Sequence, residues 1–137
     1  MKILYSAAAV LLISIVLTSC AKKLTFARSP VVPAATGKVK YKKDDNNNYN
    51  ITVDVENLAE AKNLTPPREL YVVWMESDRN RSRNIGQIDI SSGLFSNKLK
   101  GSLKAVSTSK PSRFFITAED DGNVQYPGSQ RVLTTGP

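Results

Sequence analysis

From Gly37 onward the apolar residues of this chain recur at every second position, and that spacing excludes most folds. Val39 and Tyr41 alternate with Lys38, Lys40 and Lys42, and Ile51, Val53 and Val55 alternate with Thr52, Asp54 and Glu56. A period of two sends successive side chains to opposite faces of an extended strand, so each run has one polar and one apolar face. Asp44-Asp45-Asn46-Asn47-Asn48 separates the runs. These residues favour turns because their short side chains bond to nearby backbone and tolerate unusual φ. The two runs therefore read as a hairpin, with Tyr49 near the start of its second strand.

The pattern repeats along the chain. Leu58 to Leu64 suits a short helical turn, which Pro66-Pro67 ends. Leu70-Tyr71-Val72-Val73-Trp74-Met75 is the most apolar strand, and without clean alternation both its faces are expected to be covered. Trp74, the only tryptophan, is the first candidate for the core. Ser77 to Asn84 reads as a basic polar loop, and Ile85 to Ile90 as one strand with Gly86 at a crowded or bulged point. Ser91-Ser92-Gly93 is a turn, after which Leu99, Gly101, Leu103 and Ala105 alternate with lysine and serine. In Arg113 to Glu119, Phe114, Ile116 and Ala118 share a side. Asp120-Asp121-Gly122-Asn123 suits a tight turn, and Val132-Leu133 a short edge strand. About seven short antiparallel strands, with turns every 8–12 residues, predict an all-β protein, an Ig-like β-sandwich over residues 37–137.

Upstream the chain has a different character. Lys2 precedes an apolar run, Ala7 to Leu17, that is too short for a bilayer span of about 20 residues. One positive charge, an apolar stretch and small residues before Cys20 describe a signal peptide over residues 1–19. Leu17-Thr18-Ser19-Cys20 resembles the lipobox of bacterial lipoproteins. That resemblance implies thioether lipidation of Cys20, cleavage after Ser19 and acylation of the new terminus. Cysteine suits the acceptor role because its thiolate is a soft nucleophile. Ala21 in the next position resembles lipoproteins sorted to the outer membrane, so the expected location is membrane-anchored and extracytoplasmic, on a periplasmic or surface face. Residues 20–36, with Pro30 and Pro33, read as the lipidated cysteine and a flexible tether. Fully extended, 16 residues reach about 50 Å.

Composition narrows the chemistry. The chain has no histidine and one cysteine, so it can form neither a Ser-His-Asp triad nor an internal disulfide. Its 19 basic residues outnumber 12 acidic ones; Lys2 is the only charge before Cys20, which leaves the rest at +6. Such a charge draws a protein toward anionic surfaces. An extracytoplasmic chain meets lipid headgroups and acidic polymers rather than nucleic acid. The carboxylate pairs Asp44/Asp45 and Asp120/Asp121 lie in turn-rich sequence, and general acid–base work needs carboxylates held in a pocket. Asp120, Asp121 and Asn123 fit a turn better than a calcium site. Arg79, Arg81 and Arg83, spaced by two, share a face if extended and form the candidate ligand-binding set for phosphate or carboxylate. Tyr71 and Tyr126, if exposed, are candidates for stacking on a sugar. No catalytic residue, metal site or cofactor is expected.

Tyr71-Val72-Val73-Trp74-Met75, the Gly86-centred strand, Phe115-Ile116-Thr117-Ala118-Glu119, Tyr126-Pro127-Gly128 and the closing Val132-Leu133 follow one another in an order that resembles the extracytoplasmic C-terminal domain of anti-sigma-K factors. The likeness spans residues 37–134. It implies an Ig-like sandwich with a binding or sensory role, and makes Glu119 a candidate site residue. It does not carry over sigma-factor control, because the cytoplasmic sigma-binding part has no counterpart in these residues. The expectation is a lipid-anchored cell-envelope protein, not an enzyme, that contacts a membrane through Cys20 and an envelope protein through its sandwich. The alternative is a module for glycan or anionic polymer.

Overall fold

The alternating runs fold as expected into a long antiparallel hairpin. In the computed structural model, which describes residues 20–78, 81–92 and 99–136, β1 is Lys22–Thr25, β2 Thr36–Lys43 and β3 Tyr49–Leu58. The β2–β3 turn is held by Asp44, whose carboxylate accepts hydrogen bonds from the amides of Asn46 (2.8 Å) and Asn48 (3.0 Å). Asn47 supplies its positive φ of 63°, which asparagine tolerates better than most residues. Next come β4 (Leu70–Ser77), β5 (Ser82–Gln87), β6 (Asp89–Ser92), β7 (Leu99–Ser107), β8 (Pro111–Glu119) and β9 (Arg131–Thr134). The described residues thus hold nine strands where about seven were expected, plus a 3-10 turn at Ala61–Asn63 inside the predicted helical turn.

Two antiparallel sheets form an all-β sandwich, one in the order β1-β2-β3-β7-β6 and the other β5-β4-β8-β9. Register puts Val39, Val53 and Leu103 in one inward row and Tyr41, Ile51 and Ala105 in the next. Tyr71, Val73, Met75, Phe114, Ile116 and Ala118 close over them from the facing sheet, and every one of these six is buried. A buried residue of this kind contributes about 1.5–3 kcal/mol. That core, with no disulfide, holds the layers together.

The structure corrects the sequence reading in two places. Residues 22–36 are not a tether. β1 pairs along β2, and Phe26, Ser29, Val32 and Ala35 are buried. The tether reading missed that Leu24 and Phe26 continue the two-residue period beside partners far downstream, Val39 and Gly37, and that Gly37 clears space for Phe26. A Cβ at Gly37 would lie 2.9 Å from the Phe26 ring. Secondly, Ile85–Ile90 is two strands in different sheets. At Gly86 the backbone takes φ +139°, a conformation closed to most L-residues, beside a register shift opposite Val73/Trp74. The chain then crosses between layers at Ile88, which is buried and donates its amide to the Tyr71 carbonyl (3.0 Å). The turn read at Asp120–Asn123 is present, closed by the Asn123 amide on Asp121 (2.9 Å), and it opens a longer connection. This connection runs from Asp120 to Gln130 before β9, with Val124 packed on the outer face of β4 and β8. Trp74 is fully buried, as expected, but with Val72 and Phe115 under this segment rather than in the central core.

Tyr71 is a buried titratable group whose protonation links this fold to pH. Its hydroxyl donates to the Ala59 carbonyl at 2.6 Å, and burial pushes its pKa from 10.0 up to about 12. Because the folded state holds the proton more tightly than the unfolded chain, the stability this group contributes is complete below pH 10. It is lost as pH rises toward 12. Urea-unfolding midpoints should fall over that interval in the wild type and fall less in Tyr71→Phe. An equal fall in both would contradict this assignment.

Candidate functional site

Cys20 is exposed and stands two residues before the first residue of β1. Lys22 lies opposite Tyr41 and Lys23 opposite Lys40, so continuing that register carries Cys20 to the C-terminal end of β2, beside the 44–48 turn. Only Ala21 separates the cysteine from the paired strand. Whatever is attached to Cys20 is therefore attached almost directly to one end of the five-stranded sheet.

Of the three candidate arginines, Arg79 lies outside the described residues. Arg81 and Arg83 are exposed, Arg83 within the edge strand β5 rather than in a loop. A cleft of about 1350 Å³ runs along β5 and takes in both arginines as well as Asp120, Asp121 and Asn123. It is one groove wrapped around two faces of a strand. Arg83 lies opposite Met75, whose side chain belongs to the inner core. Neighbouring Asn84 points to the other face, where its carboxamide donates to the carbonyls of Gly122 and Val124, both at 2.9 Å. The arginines and the 120–125 segment are thus on opposite sides of β5.

Among the described residues, three of the four paired carboxylates are engaged within the fold, Asp44 among them and Asp45 the exception. Asp120 accepts from Arg68 at 2.9 Å, and Asp121 accepts the amide of Asn123 at 2.9 Å, which closes a local turn. Among the described residues, no three Asp, Glu or Cys side chains gather as a metal would require. Glu119, the residue singled out by resemblance, is buried at the end of a hydrogen-bond chain. The Trp74 indole N–H donates to Thr117 Oγ1 (2.8 Å), the Thr117 hydroxyl donates to Glu119 Oε1 (2.6 Å), and the Gly128 amide donates to the same oxygen (2.7 Å). Phe115 stacks on Trp74 with ring centroids 6.1 Å apart, and the Arg131 guanidinium lies 3.9 Å from the Phe115 centroid. These residues close the outer layer over the four-stranded sheet. Trp74 beneath them and Tyr71 in the central core are both closed to a sugar, whereas Tyr126 is 83% exposed.

A further surface was invisible without register. On the outer face of the five-stranded sheet, Lys23 of β1, Lys40 of β2, Thr52 of β3 and Lys104 of β7 form one cross-strand row. The adjoining row toward the Cys20 end is Lys42, Asn50 and Val106, and Val106 is 64% exposed. The next row the other way contains Lys38 opposite Asp54. The polar alternation of β2 signalled one stripe of lysines; only strand pairing joins it to β1 and β7.

No protein-family model matches this chain, and neither the curated proteins nor the solved structures contain a match to it.

Replacing Thr117 by Val keeps the shape of the outer layer but removes the link between two buried groups. An unpartnered buried polar group costs about 1–3 kcal/mol. Thr117→Val should lower the unfolding free energy by that amount and make the 120–130 segment more susceptible to protease. Unchanged stability would show that Trp74 and Glu119 do not depend on the hydroxyl.

Proposed function

We propose that this chain is a lipid-anchored cell-envelope protein whose β-sandwich is a non-catalytic binding or structural module. The observation that carries the reading is the position of Cys20. It closes the Leu17-Thr18-Ser19 motif, is exposed, and precedes every paired strand. Acyl chains on it would disturb no hydrogen bond of the sandwich. Two or more chains make such an anchor stable, at about 0.8 kcal/mol per buried methylene. Ala21 favours an outer-membrane destination, with the domain on a periplasmic or surface face.

The partner surface we favour is the β5 edge. Among the described residues β5 pairs only with β4, so its other edge offers backbone donors and acceptors to an added strand, with Arg81 and Arg83 beside it to engage a carboxylate. This suits another envelope protein. The motif order shared with the outer domain of anti-sigma-K factors agrees with a binding or sensory use. The second reading, a module for glycan or anionic polymer, draws on the same arginines and on exposed Tyr126. Tyr126 stands in the segment on the other side of β5, so the two do not form one site.

Cys20→Ala should move the protein out of the membrane fraction or leave it as unprocessed precursor. Normal processing and unchanged detergent partitioning would refute the anchor. Arg81→Glu with Arg83→Glu should abolish recovery of a stoichiometric crosslinked protein from membranes. Loss of polyanion or glycan binding in that variant, with no protein recovered from the wild type, would favour the second reading.

A further inference from the structure

The structure adds an orientation to the anchor. The outer face of the five-stranded sheet carries Lys23, Lys40, Lys42 and Lys104 at its Cys20 end, all exposed, around exposed Val106. Three features distinguish this patch from an ordinary solvated face. Lys23 lies directly opposite Lys40, and no carboxylate occupies their row or the next one toward Cys20. Like charges directly opposed across strands are unfavourable unless something anionic covers them. Secondly, among the described residues none of the four is in an ion pair, whereas Lys100 and Lys62 at the other end are paired with Glu56 and Glu60. Asp44, in the turn bordering the patch, is already engaged by the Asn46 and Asn48 amides and by the Asn50 carboxamide at 3.5 Å, and Asp45 beside it is exposed. Thirdly, Val106 places an apolar side chain among the cations, a combination suited to a headgroup layer rather than to bulk water.

Position decides what covers the patch. Lys23 is three residues from Cys20, about 10 Å along an extended chain. Because β1 is hydrogen-bonded to β2, there is no slack to lift the sheet away from the anchor. From β1 to β7 the row crosses three strand spacings, about 14 Å, which is wide enough to touch several headgroups. We propose that this face lies against the anionic phospholipid headgroups of the membrane that holds Cys20, as a second, electrostatic attachment. The inference rests on the lipid-anchor reading for its location, but its chemistry can be measured without any lipid on the protein. Docked this way, the domain turns the four-stranded sheet, with the 120–130 segment, away from the bilayer.

The test uses the chain from residue 20 onward with Cys20→Ser, so that no acyl chain contributes, and vesicles of phosphatidylglycerol with phosphatidylcholine or of phosphatidylcholine alone. Cosedimentation should occur with the anionic vesicles only and weaken steeply with salt, since screening at 1 M reaches about 3 Å. A basic residue near an anionic surface is worth about a fivefold change in binding. The Lys23→Gln, Lys40→Gln, Lys104→Gln variant should therefore bind about 100-fold more weakly. The same three positions as arginine should retain binding, and Lys62→Gln with Lys100→Gln should change it little. Equal binding to neutral vesicles, or no loss in the triple glutamine variant, would overturn the proposal. Precursor processing and detergent partitioning of Cys20→Ala report on the anchor alone, because a salt-sensitive basic face contributes to neither, so the two ideas fail separately. Vesicle binding that survives while processing and detergent partitioning are unaffected by Cys20→Ala would leave the basic face standing and remove the lipid.

Discussion

The arrangement of this domain depends on a short segment, residues 22–27, that is hydrogen-bonded to both sheets. β1 forms the edge of the five-stranded sheet by pairing with β2, and the Phe26 amide donates to the Gly37 carbonyl at 3.0 Å. One residue later the Ala27 amide donates to the Thr134 carbonyl of β9 at 2.9 Å, and Phe26 bridges Thr135. The segment thus ties an edge of one layer to an edge of the other, while Phe26 fills the space that Gly37 leaves. Removing it would expose the backbone of β2 along its length and open one side of the core. It also fixes where Cys20 sits relative to everything else, so the same hydrogen bonds that stabilise the fold decide how a lipid on that cysteine would orient the domain.

The opposite layer follows from the other unusual strand. β4 is covered on both faces, by the central core on one side and by Phe115 and Val124 on the other. Burying an indole N–H requires an acceptor, and Thr117 provides it while passing its own proton toward Glu119. Glu119 in turn holds the Gly128 amide and so pins the long β8–β9 connection. A buried carboxylate in a cleft-bearing domain invites a catalytic reading. Here its oxygen is occupied by two donors from its own fold, and the chain of bonds explains why tryptophan, Thr-x-Glu and a later glycine occur together.

Much of this was legible in the residues. The β2–β3 hairpin, the two-sided character of Leu70–Met75 and the inward set Phe114, Ile116 and Ala118 could be read from local period and turn chemistry. What escaped was decided by contacts distant in sequence. Residues 22–26 look like linker until β2 supplies a partner. Ile85–Ile90 looks continuous until Gly86 turns it between layers. The Asp120-Asp121-Gly122 signal marks a real turn, and what local sequence left out is that the turn begins an eleven-residue cover. The candidate site divided in the same way. The isolated signal at Cys20 lay in four adjacent residues. The arginine spacing placed Arg81 and Arg83 together but not that Arg83 is in an edge strand. The lysine patch, built from three strands, required the register.

Strand pairing begins at Lys22, so no tether separates Cys20 from the sandwich. Amide hydrogen exchange tests this most directly. The Phe26 and Ala27 amides should exchange slowly, at rates comparable to the interior of β2, because each donates to a partner in a different sheet. Exchange of these amides at the rate of an unstructured chain, with β2 and β3 still protected, would contradict the account and return residues 21–36 to a tether.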